Sequence, residues 1–189
     1  MRVIAGKARS LPLKTVPGMD TRPTTDRIKE TLFNMLQPYL ADCHFLDLFA
    51  GSGAIGIEAL SRGAALCVFV EQNKKASACI KDNLRFTRLE ENARVMTTDV
   101  ITAIRQLESG GVFDCIFMDP PYEKEWEKQV LAACRYASFV TEDTLFVIEA
   151  SLHTSFSYLD DLGYEIIKDK KYKTNRHVFV RIKGKEQTS

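Results

Sequence analysis

Five short apolar runs recur through the middle of this sequence, each followed by a stretch with helical periodicity, and that alternation restricts the chain to few folds. The runs are Phe45 to Ala50, Cys67 to Glu71, Ala93 to Asp99, Asp114 to Pro121 and Leu145 to Ala150. Between them lie residues 54 to 62, 73 to 89, 100 to 108 and 124 to 137, long enough for the right-handed crossovers of a parallel sheet, with Asn73 and Asp99 placed to start helices. The ending changes rule. Tyr164 to Tyr172 and Arg176 to Lys183 are separated only by Lys173-Thr174-Asn175, too short for a helix, so these two runs must pair antiparallel. The expected fold is α/β: a seven-stranded, Rossmann-like sheet of five parallel strands plus a C-terminal antiparallel hairpin.

Residues 1 to 23 are rich in Arg, Lys, Pro and Gly and show no sustained period. They read as a basic N-terminal arm with a short strand, Arg2 to Ala5, ahead of a single domain over residues 24 to 189. Pro23-Thr24-Thr25-Asp26 supplies cap residues for a helix on which Ile28, Leu32, Met35, Leu36 and Tyr39 recur at helical spacing. With 189 residues, 45% of them hydrophobic, the chain can bury a core of that size. No run approaches the roughly 18 apolar residues needed to span a bilayer, and Met1 to Ser10 lacks the apolar stretch of a secretory signal, so a cytoplasmic protein without membrane contact is expected. Cys43, Cys67, Cys79, Cys115 and Cys134 form no CxxC pair or His-Cys cluster at zinc spacing; they read as reduced thiols used as small core residues, and no metal is expected. His44, His153 and His177 are isolated and read as structural or surface residues.

The net charge of +1 conceals an uneven distribution. Residues 1 to 30 hold seven Lys/Arg against three Asp/Glu, and residues 168 to 185 hold eight against one, leaving an acidic body between two basic ends. That pattern suits a polyanion-binding face built from both ends of the chain, with solvated lysine-bearing ends as the alternative.

The first apolar run leads into Asp47-Leu48-Phe49-Ala50-Gly51-Ser52-Gly53-Ala54-Ile55-Gly56, a strand, a glycine-rich turn and a helix start. Backbone must approach a ligand closely at such a turn, and open α/β sheets bind ligands at strand ends. Glu71 ends the second run 18 residues after Gly53, where a carboxylate can accept hydrogen bonds from vicinal ribose hydroxyls. Gly51-x-Gly53-x-x-Gly56 also satisfies the dinucleotide fingerprint, so that reading and a purely structural turn stand beside a nucleoside sulfonium site. Three features favour S-adenosylmethionine. Asp47 suits a cationic amino-acid ligand and would repel a pyrophosphate. Phe49-x-Gly51-x-Gly53 has the methyltransferase form of the loop, and Asp99 is placed to accept the amino group of adenine. The candidate cofactor residues are Asp47, Phe49, Ala50, Gly51, Ser52, Gly53, Glu71 and Asp99.

Asp119-Pro120-Pro121-Tyr122 terminates the fourth run. An exocyclic amine on a base is a poor nucleophile because its lone pair is delocalised into the ring. Holding its two hydrogens with the Asp119 carboxylate and the Pro120 carbonyl would favour a pyramidal nitrogen. Pro121 lacks an N–H and biases Pro120, keeping that carbonyl out of a strand ladder. Tyr122 offers a flat face on which a base can stack. Asp119, Pro120 and Tyr122 are therefore the candidate catalytic residues, and a Pro-Pro turn with a surface tyrosine is the structural alternative.

With these residues in hand, the chain resembles the RsmD family of bacterial 16S ribosomal RNA guanine-N2 methyltransferases. The resemblance is densest in Arg2 to Gly6, in Arg22-Pro23-Thr24-Thr25-Asp26-Arg27-Ile28-Lys29-Glu30-Thr31-Leu32-Phe33-Asn34, in Asp47 to Gly53 and in Asp119 to Tyr122. It implies a class I methyltransferase sheet, S-adenosylmethionine as methyl donor, and a guanine of 16S rRNA, within the small ribosomal subunit or its assembly intermediate, as substrate. It also implies that Glu71 holds the ribose, Asp99 the adenine, and Phe49 to Gly53 the methionine end. RNA contacts are carried over to Arg2, Lys7, Arg9, Arg22, Thr24, Lys171 and Arg176. Family members usually carry a Gly-Arg or Gly-Lys pair after the first strand, and here the stretch reads Lys7-Ala8-Arg9-Ser10-Leu11. A monomer is expected. The competing readings are an amino methyltransferase acting on DNA adenine or on a protein glutamine, and a non-catalytic RNA-binding assembly module.

Overall fold

A computed structural model of the chain describes residues 1–16, 26–122 and 124–184. The elements run α1 (Asp26–Leu36), β1 (His44–Leu48), α2 (Ala54–Ser61), β2 (Leu66–Val70), α3 (Lys74–Thr87), β3 (Ala93–Met96), α4 (Val100–Leu107), β4 (Cys115–Met118), α5 (Trp126–Cys134), β5 (Leu145–Ser151), β6 (Tyr164–Lys171) and β7 (Asn175–Ile182). They build the expected seven-stranded sheet, in the order β3-β2-β1-β4-β5-β7-β6. The first five strands are parallel, and β7 inserts antiparallel between β5 and β6. β6 is thus an outer strand, and its register shifts between Ile166 and Lys168.

The parallel strands are apolar on both faces because helices cover both. One core joins Phe45, Phe69, Phe117, Val147 and Phe179 to α1, α2 and residues of the arm; the other joins Leu46, Val68, Ile116, Phe146 and Val180 to α4 and α5. Asn73 and Asp99 cap α3 and α4 as expected: Asn73 accepts from the amides of Lys75 and Ala76, and Asp99 from Thr102. The cap residues expected ahead of α1, Pro23 to Thr25, lie outside the described residues. α1 ends at Leu36 and a single 3-10 turn, Gln37–Tyr39, follows, since Pro38 cannot donate to a continuing helix. Its buried face is Lys29, Leu32, Phe33 and Leu36, so a lysine stands where the apolar stripe predicted none, and Tyr39 is exposed.

The arm departs from the short strand expected over Arg2 to Ala5, which reduces to one antiparallel bridge between Arg2 and Pro12. The reason lies in α2. The buried Glu58 carboxylate accepts from the amides of Ile4 (2.8 Å) and Ala5 (3.0 Å), and Ser61 Oγ accepts from the amide of Ala8 (2.9 Å) while donating to the Ala5 carbonyl (2.6 Å). Amides held by side chains cannot join a ladder. Val3, Ala8 and Leu13 meanwhile sink into the core beside α1 and α2, so the arm is bound down from Val3 to Leu13. Glu58 also pairs with Lys29 Nζ at 3.2 Å and Arg62 Nε at 2.8 Å, and Lys29 donates to the Arg2 carbonyl at 2.5 Å.

Candidate active site

Strand order reverses between β1 and β4, and ligand crevices of open sheets form where that happens, beyond the carboxyl ends of the strands. Leu48 and Met118 are the last paired residues of the two strands, so Phe49 and Asp119 leave the sheet side by side, with strands roughly 4.8 Å apart. Both sequence motifs therefore open into one crevice.

The glycine turn is held from three directions. Gly53 begins α2 with φ 79°, and its amide donates to the Ala50 carbonyl at 2.7 Å. Gly56 faces β2 so closely that a methyl group there would lie 2.3 Å from the Phe69 ring and 2.6 Å from Cys67 Sγ, which explains the third glycine as helix-to-strand packing rather than ligand contact. Phe49 itself adopts φ 62°, a strained conformation for a side chain with a Cβ, and its ring meets Trp126 of α5 edge-on at 6.0 Å. Ser52 presents its carbonyl to Asn83 Nδ2 at 3.0 Å.

Asp47 is buried and its Oδ2 accepts from the Gly56 amide at 2.9 Å. Burial pushes its carboxyl up to about 7, with the Glu71 charge adding to the shift. Glu71 accepts from the Gly51 amide at 2.8 Å through one oxygen and from the Asn73 amide at 2.7 Å through the other. A carboxylate oxygen has two lone pairs, so both oxygens keep capacity for a pair of ribose hydroxyls. Asp99 is exposed, and the Thr102 amide bond of its cap holds its carboxyl below the usual range.

Asp119 is half-buried, Pro120 buried, and Tyr122 exposed by 46%. Burial raises the Asp119 carboxyl well above the usual range, and the charges of Glu149, Asp47 and Glu127 raise it further. The crevice is thus lined by acids that gain from a cationic guest. S-adenosylmethionine fits this donor set: the Gly51 position has open space within 4 Å, Glu71 is poised for a ribose, and the carboxylates suit a sulfonium and an ammonium.

Sequence reasoning missed Asn83, Trp126, Glu127, Glu149 and His177. Glu149 had a signal, since it stands near the end of its strand as Asp47, Glu71 and Asp119 do near theirs. His177, read as isolated, is wholly buried and lies 3.1 Å from Glu149 Oε2.

The expected RNA contacts divide. Lys7, Arg9 and Lys171 are exposed. Arg2 is exposed but pairs with Asp26 at 2.9 Å. Arg176 is turned inward: it pairs with Asp169 at 3.1 Å, donates to the Thr154 carbonyl and lies 4.9 Å over the Phe156 ring. Arg22 and Thr24 lie outside the described residues. The five cysteines are free, four of them buried, and burial raises every thiol, which leaves them as packing groups.

A seven-stranded sheet with a terminal hairpin, a glycine turn over a ribose-type carboxylate, and an Asp-Pro-Pro-Tyr turn on the adjoining strand define a class I S-adenosylmethionine-dependent methyltransferase. Residues 1–181 match the family described as Conserved hypothetical protein 95. The chain belongs to that family, the RsmD family. It is 43% identical over 152 residues to YlbH of Bacillus subtilis (strain 168), covering 79% of this chain and 82% of that protein. It is 36% identical over 154 residues to "Ribosomal RNA small subunit methyltransferase D" of Escherichia coli (strain K12), covering 80% of this chain and 75% of that one. The solved structure of yhhF from Escherichia coli superposes with a TM-score of 0.82 at 30% identity, covering 98% of this chain and 99% of that one.

Proposed function

We propose that this chain methylates the exocyclic N2 amino group of a guanine in 16S ribosomal RNA, within the small subunit or its assembly intermediate, as a monomer in the cytoplasm. The observation that carries the reading is the side-by-side exit of Phe49 and Asp119 from paired strands, which brings the cofactor turn and the amine acceptors into one crevice. The name of the Escherichia coli relative, a small-subunit methyltransferase, supports the class of RNA.

When bound, S-adenosylmethionine supplies an electrophilic methyl group on a sulfonium. Glu71 holds the ribose, Asp99 the adenine edge, and Asp47 with the turn from Phe49 to Gly53 the methionine end. The Asp119 carboxylate and the Pro120 carbonyl accept the two amine hydrogens and aim the nitrogen lone pair, while Tyr122 supports the unstacked base, a contact worth about 1–3 kcal/mol. A carboxylate made more basic by burial then takes the proton that the alkylated nitrogen releases, at Asp119 Oδ. Lys7, Arg9, Arg22 and Lys171 bind phosphates and position the RNA without reading its sequence.

The test supplies labelled S-adenosylmethionine with small-subunit particles from cells lacking the gene, beside naked DNA and release factor as alternative acceptors. Label in guanine N2 of the particle RNA is expected. Label only in adenine of DNA or in glutamine would overturn the reading.

A further inference from the structure

Behind Asp119, β5 and β7 place a second polar group that the proposed chemistry leaves unused. Glu149 and His177 are register partners across these strands, with His177 Nε2 3.1 Å from Glu149 Oε2. Asn175 Nδ2 donates to Glu149 Oε1 at 2.5 Å, and the Tyr172 hydroxyl lies 3.2 Å from His177 Nδ1. Phe117 of β4 meets the imidazole edge-on at 6.4 Å, on the face of the sheet that also carries Asp47. Glu149 is 5% exposed and His177 not at all. A buried carboxylate–imidazole pair is weak evidence for stability, because an apolar pair of the same size often does as well. What the charge does there needs another answer.

Position supplies it. Met118 and Ile148 are paired across β4 and β5, so Asp119 and Glu149 come next at one level, on the same face of adjacent strands. Among the described residues, the charged groups that act on Asp119 are Glu149 from β5, Asp47 from β1 and Glu127 from α5, all acids. Of the groups around Glu149, Tyr172 is held protonated, its hydroxyl pushed up to about 12 by burial and the Glu149 charge. Arg176 lies on the opposite face, bound to Asp169. His177 is the basic side chain of this set, and it is bonded to the acid whose charge acts most strongly on Asp119. A neutral imidazole leaves Glu149 presenting a full negative charge to Asp119; an imidazolium cancels it.

We propose that the Glu149–His177 pair, braced by Tyr172 and Asn175, is a positioning and charge-setting element for Asp119. The state of His177 sets how much negative charge stands behind the carboxylate that receives the amine, and so whether that carboxylate is free to accept. This rests on the reading of Asp119 as the amine acceptor.

The experiment is the pH profile of single-turnover methyl transfer to small-subunit particles at saturating S-adenosylmethionine. Glu149→Gln removes the anion and should move the acidic limb down by about one pH unit; His177→Gln keeps an amide donor but cannot charge, and should move it up by about as much. A purely structural pair would give losses without opposite shifts, and that result, with cofactor affinity intact by calorimetry, would overturn the inference. Where these variants fail to fold, nitrogen-15 histidine NMR on Asp119→Asn provides the reciprocal reading. Loss of the carboxylate should lower the His177 titration midpoint, and an unchanged midpoint would sink the proposal. Failure of the underlying reading looks different: Asp119→Asn would then retain transfer.

Discussion

A methyl group added to Gly6 would lie 1.8 Å from the carbonyl oxygen of Ser61, closer than an unbonded carbon and oxygen can approach. Gly6 also has φ 83°, and the next residue, Lys7, donates its amide to that same carbonyl at 2.8 Å. The turn of the arm is therefore seated on the last residue of α2. Gly6→Ala should lower stability by about 2–4 kcal/mol through overpacking and backbone strain, read as a fall in the urea midpoint. An unchanged midpoint would mean that the arm detaches at little cost.

Glu58 is the other anchor of the arm, and it neutralises Lys29, which is 1% exposed. Burial lowers the Lys29 ammonium below its usual range, with the Glu58 charge opposing the shift. Glu58→Gln leaves that ammonium without its partner and should cost about 3–5 kcal/mol in chemical denaturation. Adding Lys29→Met should recover part of the loss, and the recovery measures the uncompensated charge.

Asp119→Asn removes the charge proposed to accept the amine proton while keeping its shape. Transfer should fall by about 10²–10⁴-fold, with S-adenosylmethionine affinity changed by no more than a small factor. Parallel loss of both in calorimetry and single-turnover assays would reassign the residue to cofactor binding.

Cofactor binding should be linked to Asp47. A cationic guest favours the ionised carboxylate, so it lowers a value that stands at about 7 in the free protein. The free form holds the proton and the bound form releases it. Affinity should accordingly rise as pH increases toward 7 and level off above it. Calorimetry in buffers of different ionisation enthalpy counts the proton, and Asp47→Asn should remove it.

Salt dependence separates phosphate contacts from internal pairs. Lys7→Ala and Arg9→Ala should each reduce the log–log salt slope of RNA binding by about one, because an exposed cation releases a counterion. Arg176→Ala should leave the slope nearly unchanged and lower stability instead, since its guanidinium is held by Asp169 and Thr154.

The parallel strands, the crossovers and the hairpin were legible because periodicity reports burial, and burial here follows the sheet faces. The placement of Asp47, Glu71 and Asp119 at strand ends was legible because each sits beside a turn with its own composition. The arm was not, since its amides answer to Glu58 and Ser61, more than fifty residues away. The partners of Lys29 and His177 were not legible for the same reason: each is buried against a distant carboxylate, on α2 or β5. Asn83 is the clearest case. Its amide reaches both the Lys14 carbonyl and the Ser52 carbonyl at 3.0 Å, joining arm to cofactor turn through a helix residue that no local pattern marks.

Among the described residues, β6 has one side without a neighbour, and an uncovered ladder edge invites any other extended chain to add itself. Here the kink after Ile166 interrupts the run, and Lys168, Lys170 and Lys171 crowd the remainder with ammonium groups. Two such margins repel each other, whereas a nucleic acid meets no such barrier. The same lysines thus guard against aggregation and carry the charge that the proposed polyanionic substrate would favour.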